Sequence, residues 1–119
     1  MARILIVDDE ALIAMSLEFA LTAQGHEVRT AVNGRRALEV LDGFTPDVVV
    51  TDYMMPRMDG AELIRAVRER PGLAGARIVL ITAIEKARVD RDAVSYDAFV
   101  RKPFLEDDVV ELVDRLTAR

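Results

Sequence analysis

The stretch Ile4-Leu5-Ile6-Val7-Asp8-Asp9-Glu10 decides the fold. Four apolar residues in a row, three of them β-branched, make a strand buried on both faces, as in a parallel sheet. The run ends in three acids, so the strand that enters the core delivers carboxylates at its far end. Val48-Val49-Val50 and Ile78-Val79-Leu80-Ile81 repeat the apolar pattern, and Asp52 and Thr82 follow them. Glu27 to Ala31 and Ala98 to Val100 are weaker strand candidates.

Between these runs, apolar residues recur at helical spacing. Ile13, Leu17, Ala20 and Leu21 share one face, as do Ala37, Leu38 and Leu41. Leu63, Ala66 and Val67 mark a third helix, and Val109, Leu112, Val113 and Leu116 a last one. Turn residues agree: Gly25 closes the first helix, Asn33 caps the second and Pro71-Gly72 stops the third. Glu106, Asp107 and Asp108 suit the first turn of the last helix, where the helix dipole favours anions. Glu85 to Val94 is rich in charge and poor in large apolar residues, which predicts a short, marginal fourth helix. Strand and helix thus alternate five times. The expectation is one α/β domain over residues 1–119, a parallel sheet with helices on both faces.

Composition narrows the function. The 119 residues carry a formal charge of −5, against a broad basic surface for nucleic acid. No apolar run approaches the ~20 residues that span a bilayer, and the acids at 8–10 break any signal-peptide pattern. The absence of cysteine excludes disulfides and thiol chemistry, and the single His26 excludes a histidine triad at a metal. His26, after Gly25 and away from the acids, reads as an ordinary loop residue. A soluble cytoplasmic domain without direct nucleic-acid or membrane contact is expected.

In open α/β sheets, ligands bind beyond the carboxyl ends of the strands. Asp8 and Asp9 follow the first strand and Asp52 the third. If those strands are neighbours, three carboxylates converge, and a hard cation such as Mg²⁺ relieves their repulsion. Thr82 and Lys102, after the fourth and fifth strands, would add a hydroxyl and an ammonium. That set suits a phosphoryl group, with one carboxylate as nucleophile. Singly, each residue has a plainer account as helix cap, loop residue, turn residue or surface charge. The joint placement carries the inference.

The chain resembles a response-regulator receiver domain of two-component signalling. The matching stretches are Ile4 to Glu10, Pro46 to Pro56, Met58-Asp59-Gly60, Ile81-Thr82-Ala83 and Lys102-Pro103-Phe104. The resemblance implies a flavodoxin-like (βα)5 fold with strand order 2-1-3-4-5, for which a chemotaxis receiver is a standing example. It implies that Asp52 accepts the phosphoryl group from a phosphohistidine on a sensor histidine kinase or histidine phosphotransfer protein. Asp9, Asp52 and the backbone carbonyl of Met54 would ligate Mg²⁺, with Asp8 acting through water. Lys102 and the Ala83 backbone would bind the phosphoryl oxygens. Thr82 would turn toward them, and Phe99 would follow into the space left. One aromatic in a short strand is also ordinary core, so both accounts of Phe99 stand. The Lys102-Pro103 bond would be cis. Output would pass by protein contact through the face built from the fourth helix, fifth strand and fifth helix.

The chain departs from that family in three places. The interval from Thr82 to Lys102 is short, and Val94-Ser95-Tyr96-Asp97-Ala98 replaces the usual small step before the fifth strand. Met54 and Ile84 are apolar where the family's polar side chains place a hydrolytic water, which implies a long-lived phosphorylated state. Leu12, Met15 and Phe19 form a second apolar stripe on the first helix, either core or a docking face for the histidine-bearing partner. A phosphatase is disfavoured, because no second acid stands two residues after Asp52. A receiver that acts without phosphorylation, or one cut from a longer regulator or hybrid kinase, is the remaining alternative.

Overall fold

A computed structural model describes residues 1–118. Five parallel strands alternate with five helices. These are β1 Arg3–Val7, α1 Ala11–Ala23, β2 Glu27–Ala31, α2 Gly34–Leu41, β3 Val48–Asp52, α3 Gly60–Glu69, β4 Arg77–Thr82, α4 Lys86–Asp90, β5 Ala98–Arg101 and α5 Glu106–Thr117. The sheet order is β2-β1-β3-β4-β5, so β1 and β3 are neighbours at its centre. Leu5 pairs with Val49 and Val7 with Thr51, which brings the ends of both strands level.

Strand alternation divides the core in two. Leu5, Val7, Val49, Ile78 and Leu80 face α2 and α3, against Ala37, Leu41, Leu63, Ile64 and Val67. Ile4, Ile6, Val48, Val50, Val79 and Ile81 face α1 and α5, against Leu17, Leu21, Val109 and Val113. Every residue of β3 is buried, whereas β5, at the sheet edge, is only half-buried from Ala98 to Val100. The uninterrupted apolar runs therefore mark the strands covered on both sides.

The strands reach further than their apolar runs. Asp52 and Thr82 are the last residues of β3 and β4 rather than the first after them. Asp52 is in register with Ile81, and Thr82 with Arg101, so neighbouring ladders hold both. The fourth helix is a five-residue turn anchored by the buried Val89. The Asn33 side chain caps α2, accepting from the Arg36 N–H at 2.7 Å. His26 is buried: its Nδ1 accepts from the Ala2 N–H at 3.0 Å, and its Nε2 lies 3.3 Å from Asp114 Oδ1 on α5. It is a tie between the start of β1 and the last helix, and it takes no part in the acidic cleft.

Candidate functional site

The end of β3 is fixed from two sides. The Thr51 hydroxyl donates to the Asp52 carbonyl at 2.9 Å. The Gly60 N–H donates to the Tyr53 carbonyl at 2.6 Å, seating the start of α3 against the strand. The Asp59 side chain caps α3 by accepting from the Glu62 N–H at 2.9 Å. The Asp52 side chain, 5% exposed as a residue, is thereby aimed into the cleft.

Asp8, the first residue after β1, is fully buried. Its Oδ1 accepts from the Glu10 N–H at 2.8 Å, which folds the chain back into α1. Carboxylate oxygens of Asp8, Glu10 and Asp52 lie within 4.8 Å of one another. Lys102, beyond β5, puts its ammonium among them. Nζ is 2.9 Å from Asp52 Oδ2, 3.1 Å from Asp8 Oδ2 and 3.1 Å from Glu10 Oε1. The contacts to Asp52 and Glu10 are hydrogen bonds. The contact to Asp8 Oδ2 is close but misaligned, and that buried oxygen accepts no hydrogen bond.

The electrostatics follow from this crowding. Burial pushes the Asp8 carboxyl above the ordinary aspartate range. The Glu10 N–H and Lys102 offset part of that rise, and the charge of Asp52 adds to it. Burial also acts against the Lys102 charge, but hydrogen bonding and attraction from the carboxylates outweigh it and hold the ammonium above its usual range. Three carboxylates balanced by one ammonium leave a net negative cleft. Its buried Asp8 oxygen, which accepts no hydrogen bond, and its cluster of carboxylate oxygens fit a hard divalent cation.

Thr82 is buried at the end of β4, and its hydroxyl accepts from the Ile84 N–H at 3.2 Å. The Ala83 carbonyl accepts from Arg101 Nε at 3.0 Å. The Met54 N–H points to Asp52 Oδ1 at 3.3 Å, while its side chain is exposed. The Lys102-Pro103 peptide is cis, as the resemblance implies. Phe99 is half-buried, in register with Leu80, and its ring lies 5.9 Å from that of Tyr96.

Asp8, Asp52 and Lys102 are therefore brought together as the sequence indicates, with Thr82 at the end of the adjoining strand. Asp9 is exposed and stands outside the carboxylate trio. Glu10 takes the third place. In sequence an acid just before a helix suits a cap, but the Glu10 side chain makes no cap hydrogen bond. The stripe of Leu12, Met15 and Phe19 is exposed to 82%, 61% and 78%, which settles its phase against the core. Beside it, a groove of about 540 Å³ runs from Glu10 and Leu12 to Ala83, Pro103 and Phe104. Among the described residues, no helix is long and apolar enough to cross a membrane.

The comparisons with known proteins agree with this geometry. Residues 4–114 match the family model of the response regulator receiver domain. Chemotaxis protein CheY of Bacillus subtilis is 36% identical over 116 residues, covering 95% of both chains. The phosphate regulon transcriptional regulatory protein PhoB of Rhizobium meliloti is 34% identical over 119 residues. That match covers 98% of this chain but 52% of PhoB, so the chain spans about half the length of that relative. Among solved structures, CheY4 of Vibrio cholerae superposes with a TM-score of 0.90 at 30% identity, covering 98% of both chains. TrrA of Thermotoga maritima, solved in complex with Mg²⁺-BeF, gives 0.84 at 36% identity, covering 98% of this chain and 99% of its own. With the strand order, the buried carboxylates and the paired lysine already in place, these matches show that the chain belongs to the response regulator receiver domain family of two-component signalling.

Proposed function

We propose that Asp52 is the phosphoacceptor of a signalling switch, and that its phosphoryl group comes from a phosphohistidine on a sensor histidine kinase or histidine phosphotransfer protein. The observation that carries this is the buried Asp52 carboxylate held 2.9 Å from Lys102 inside an acidic cleft. An Asp52 oxygen attacks phosphorus, the bond from phosphorus to the histidine nitrogen breaks, and the imidazole leaves with the electron pair. With a small donor such as acetyl phosphate the same step releases acetate, so the domain can catalyse its own phosphorylation. The product is an acyl phosphate whose hydrolysis restores the carboxylate.

Asp9 and Asp52, with the Met54 carbonyl, would hold Mg²⁺ directly and Asp8 would act through water, the set that the resemblance implies. Mg²⁺ bound there supplies charge neutralisation between the acceptor carboxylate and the phosphoryl oxygens. Lys102 then hydrogen-bonds a phosphoryl oxygen, the Ala83 backbone meets another, and Thr82 turns toward the group. Phosphorylation adds about −1.5 to −2 charge and strong acceptors. Only the conformation with Thr82 and Lys102 against them gains the new bonds, which biases a two-state equilibrium. Phe99, beside that path, would carry the change to the α4-β5-α5 face, where a protein partner reads it. The exposed stripe on α1 and its groove flank the cleft and suit the phosphodonor. A cytoplasmic setting follows from such a donor. The domain works either alone or as the receiver of a longer regulator or hybrid kinase.

Intact mass decides the matter. Incubation with Mg²⁺ and acetyl phosphate should add one phosphoryl mass, and neither omission of Mg²⁺ nor the Asp52→Ala variant should allow it. A gain that survives Asp52→Ala would refute the assignment.

A further inference from the structure

Glu10 is the one member of the carboxylate trio on the solvent side of Lys102. Its side chain is 61% exposed, against 8% for Asp52 and none for Asp8. Its backbone is held by Asp8 Oδ1, so the side chain leaves the start of α1 in a fixed direction and reaches Nζ at 3.1 Å. The Lys102 ammonium thus donates to two carboxylates at once, one beneath it and one at the rim. An ammonium has three N–H bonds and no acceptor, so every donor spent on Glu10 is withheld from the cleft.

Building on the phosphoacceptor assignment, we infer that Glu10 is a positioning residue: it shares Lys102 with Asp52 at rest and must release it to the phosphoryl group, so that its carboxylate slows phosphorylation of Asp52. At rest the three carboxylates bracket the ammonium at nearly equal distances. When Asp52 becomes an acyl phosphate, its new oxygens become the stronger acceptors on the cleft side. Lys102 must then turn fully inward, and the contact to Glu10 is what opposes that turn. Glu10→Gln keeps the shape and removes the charge that holds the ammonium outward. At saturating Mg²⁺ the variant should be phosphorylated about 1.5- to fivefold faster, the size of one partly screened charge contact.

The test uses two small donors. Acetyl phosphate and phosphoramidate differ in negative charge, so plain repulsion of the donor by Glu10 would favour the variant mainly with acetyl phosphate. Release of Lys102 predicts the same gain with both. An equal gain supports the proposal, whereas a gain confined to acetyl phosphate, no change, or a loss overturns it. A metal-free readout is independent of activity. The chain has two lysines, Lys86 and Lys102, so a ¹³C-lysine spectrum holds two Cε signals. Glu10→Gln should shift the Lys102 signal and leave that of Lys86, and an unmoved Lys102 signal overturns the proposal. If neither wild type nor variant takes a phosphoryl group from any donor, the phosphoacceptor assignment fails, and the proposal falls with it. If wild type is labelled on Asp52 and the variant behaves identically, the proposal alone fails.

Discussion

Gly60 sits so close to Tyr53 that a Cβ added to it would lie 2.7 Å from the Tyr53 Cα. The same atom would lie 2.8 Å from the Asp52 carbonyl oxygen. Both neighbours are backbone, so neither can swing aside. Gly60→Ala should therefore push α3 off the end of β3, at a cost of about 1–3 kcal/mol in urea unfolding. Because the displaced backbone carries Asp52, phosphorylation by acetyl phosphate should slow as well. Unchanged stability in the variant would show that the contact is relieved more cheaply than the geometry indicates.

Lys102→Ala removes the ammonium that faces Asp52 across 2.9 Å. By the measure of a lost electrostatic donor at a reacting oxygen, phosphorylation should slow by about 10²-fold or more. A time course of intact mass at saturating Mg²⁺ reads this directly. Lys86→Ala is the matched control, because Lys86 pairs with Asp90 on α4 and never meets the cleft.

Met54 is exposed beside Asp52, and Ile84 is half-buried two residues beyond Thr82. Neither can orient a water. Replacing them together, Met54→Asn with Ile84→Glu, should shorten the phosphorylated lifetime by about tenfold or more, the scale of positioned proton transfer. Loss of the phosphoryl mass after the donor is removed measures it. An unchanged lifetime would mean that another feature limits hydrolysis.

Burial holds the Asp8 carboxyl above its ordinary value of 3.8, so the folded state favours the protonated acid. That stabilisation is complete below the ordinary value and is lost as pH rises through the raised one. Asp8→Asn stays neutral at every pH. In Mg²⁺-free buffer at pH 7, its urea midpoint should exceed that of wild type, and the difference should close as pH falls toward 3.8. Added Mg²⁺ should raise the wild-type midpoint more than that of the variant, since ligand binding to the native state alone stabilises it. A lower midpoint for Asp8→Asn at pH 7 would contradict the assigned direction.

The stripe of Leu12, Met15 and Phe19 contributes little to the core, so Phe19→Glu should change stability by no more than about 0.5 kcal/mol. Phosphorylation by acetyl phosphate should be untouched. Transfer from a phosphorylated histidine kinase active on wild type should fall at least severalfold. Equal transfer to both proteins would place the donor elsewhere.

Much of this architecture is legible in the chain because β1, β3 and β4 are covered on both faces, and full cover demands unbroken apolar runs. The half-buried β5 gives a fainter trace for the same reason. In α1 the apolar residues surround the helix, so periodicity cannot say whether Leu17 or Phe19 faces inward, and only packing decides. The cleft divides similarly. Asp52 and Lys102 follow from strand ends, which sequence marks well. The place of Glu10 beside Lys102 does not, because a single turn after β1 sets where each acid's side chain goes. The link from the Tyr96 hydroxyl to Asp90 Oδ1 at 2.6 Å, with Lys86 over the same ring, joins residues whose meeting depends on the abbreviated α4.

The fully buried β3 and the half-buried edge strand β5 lie on either side of β4, and the cleft draws Asp52 from one and Lys102 from beyond the other. Local opening follows burial, so backbone amides of β3 belong to the slowest-exchanging part of the protein and those of β5 to a faster one. A phosphoryl group on Asp52, gripped by Lys102, spans that gradient. It fastens a pliant margin to a rigid centre, and the amide protons of β5 should then exchange with solvent more slowly while those of β3 hardly change.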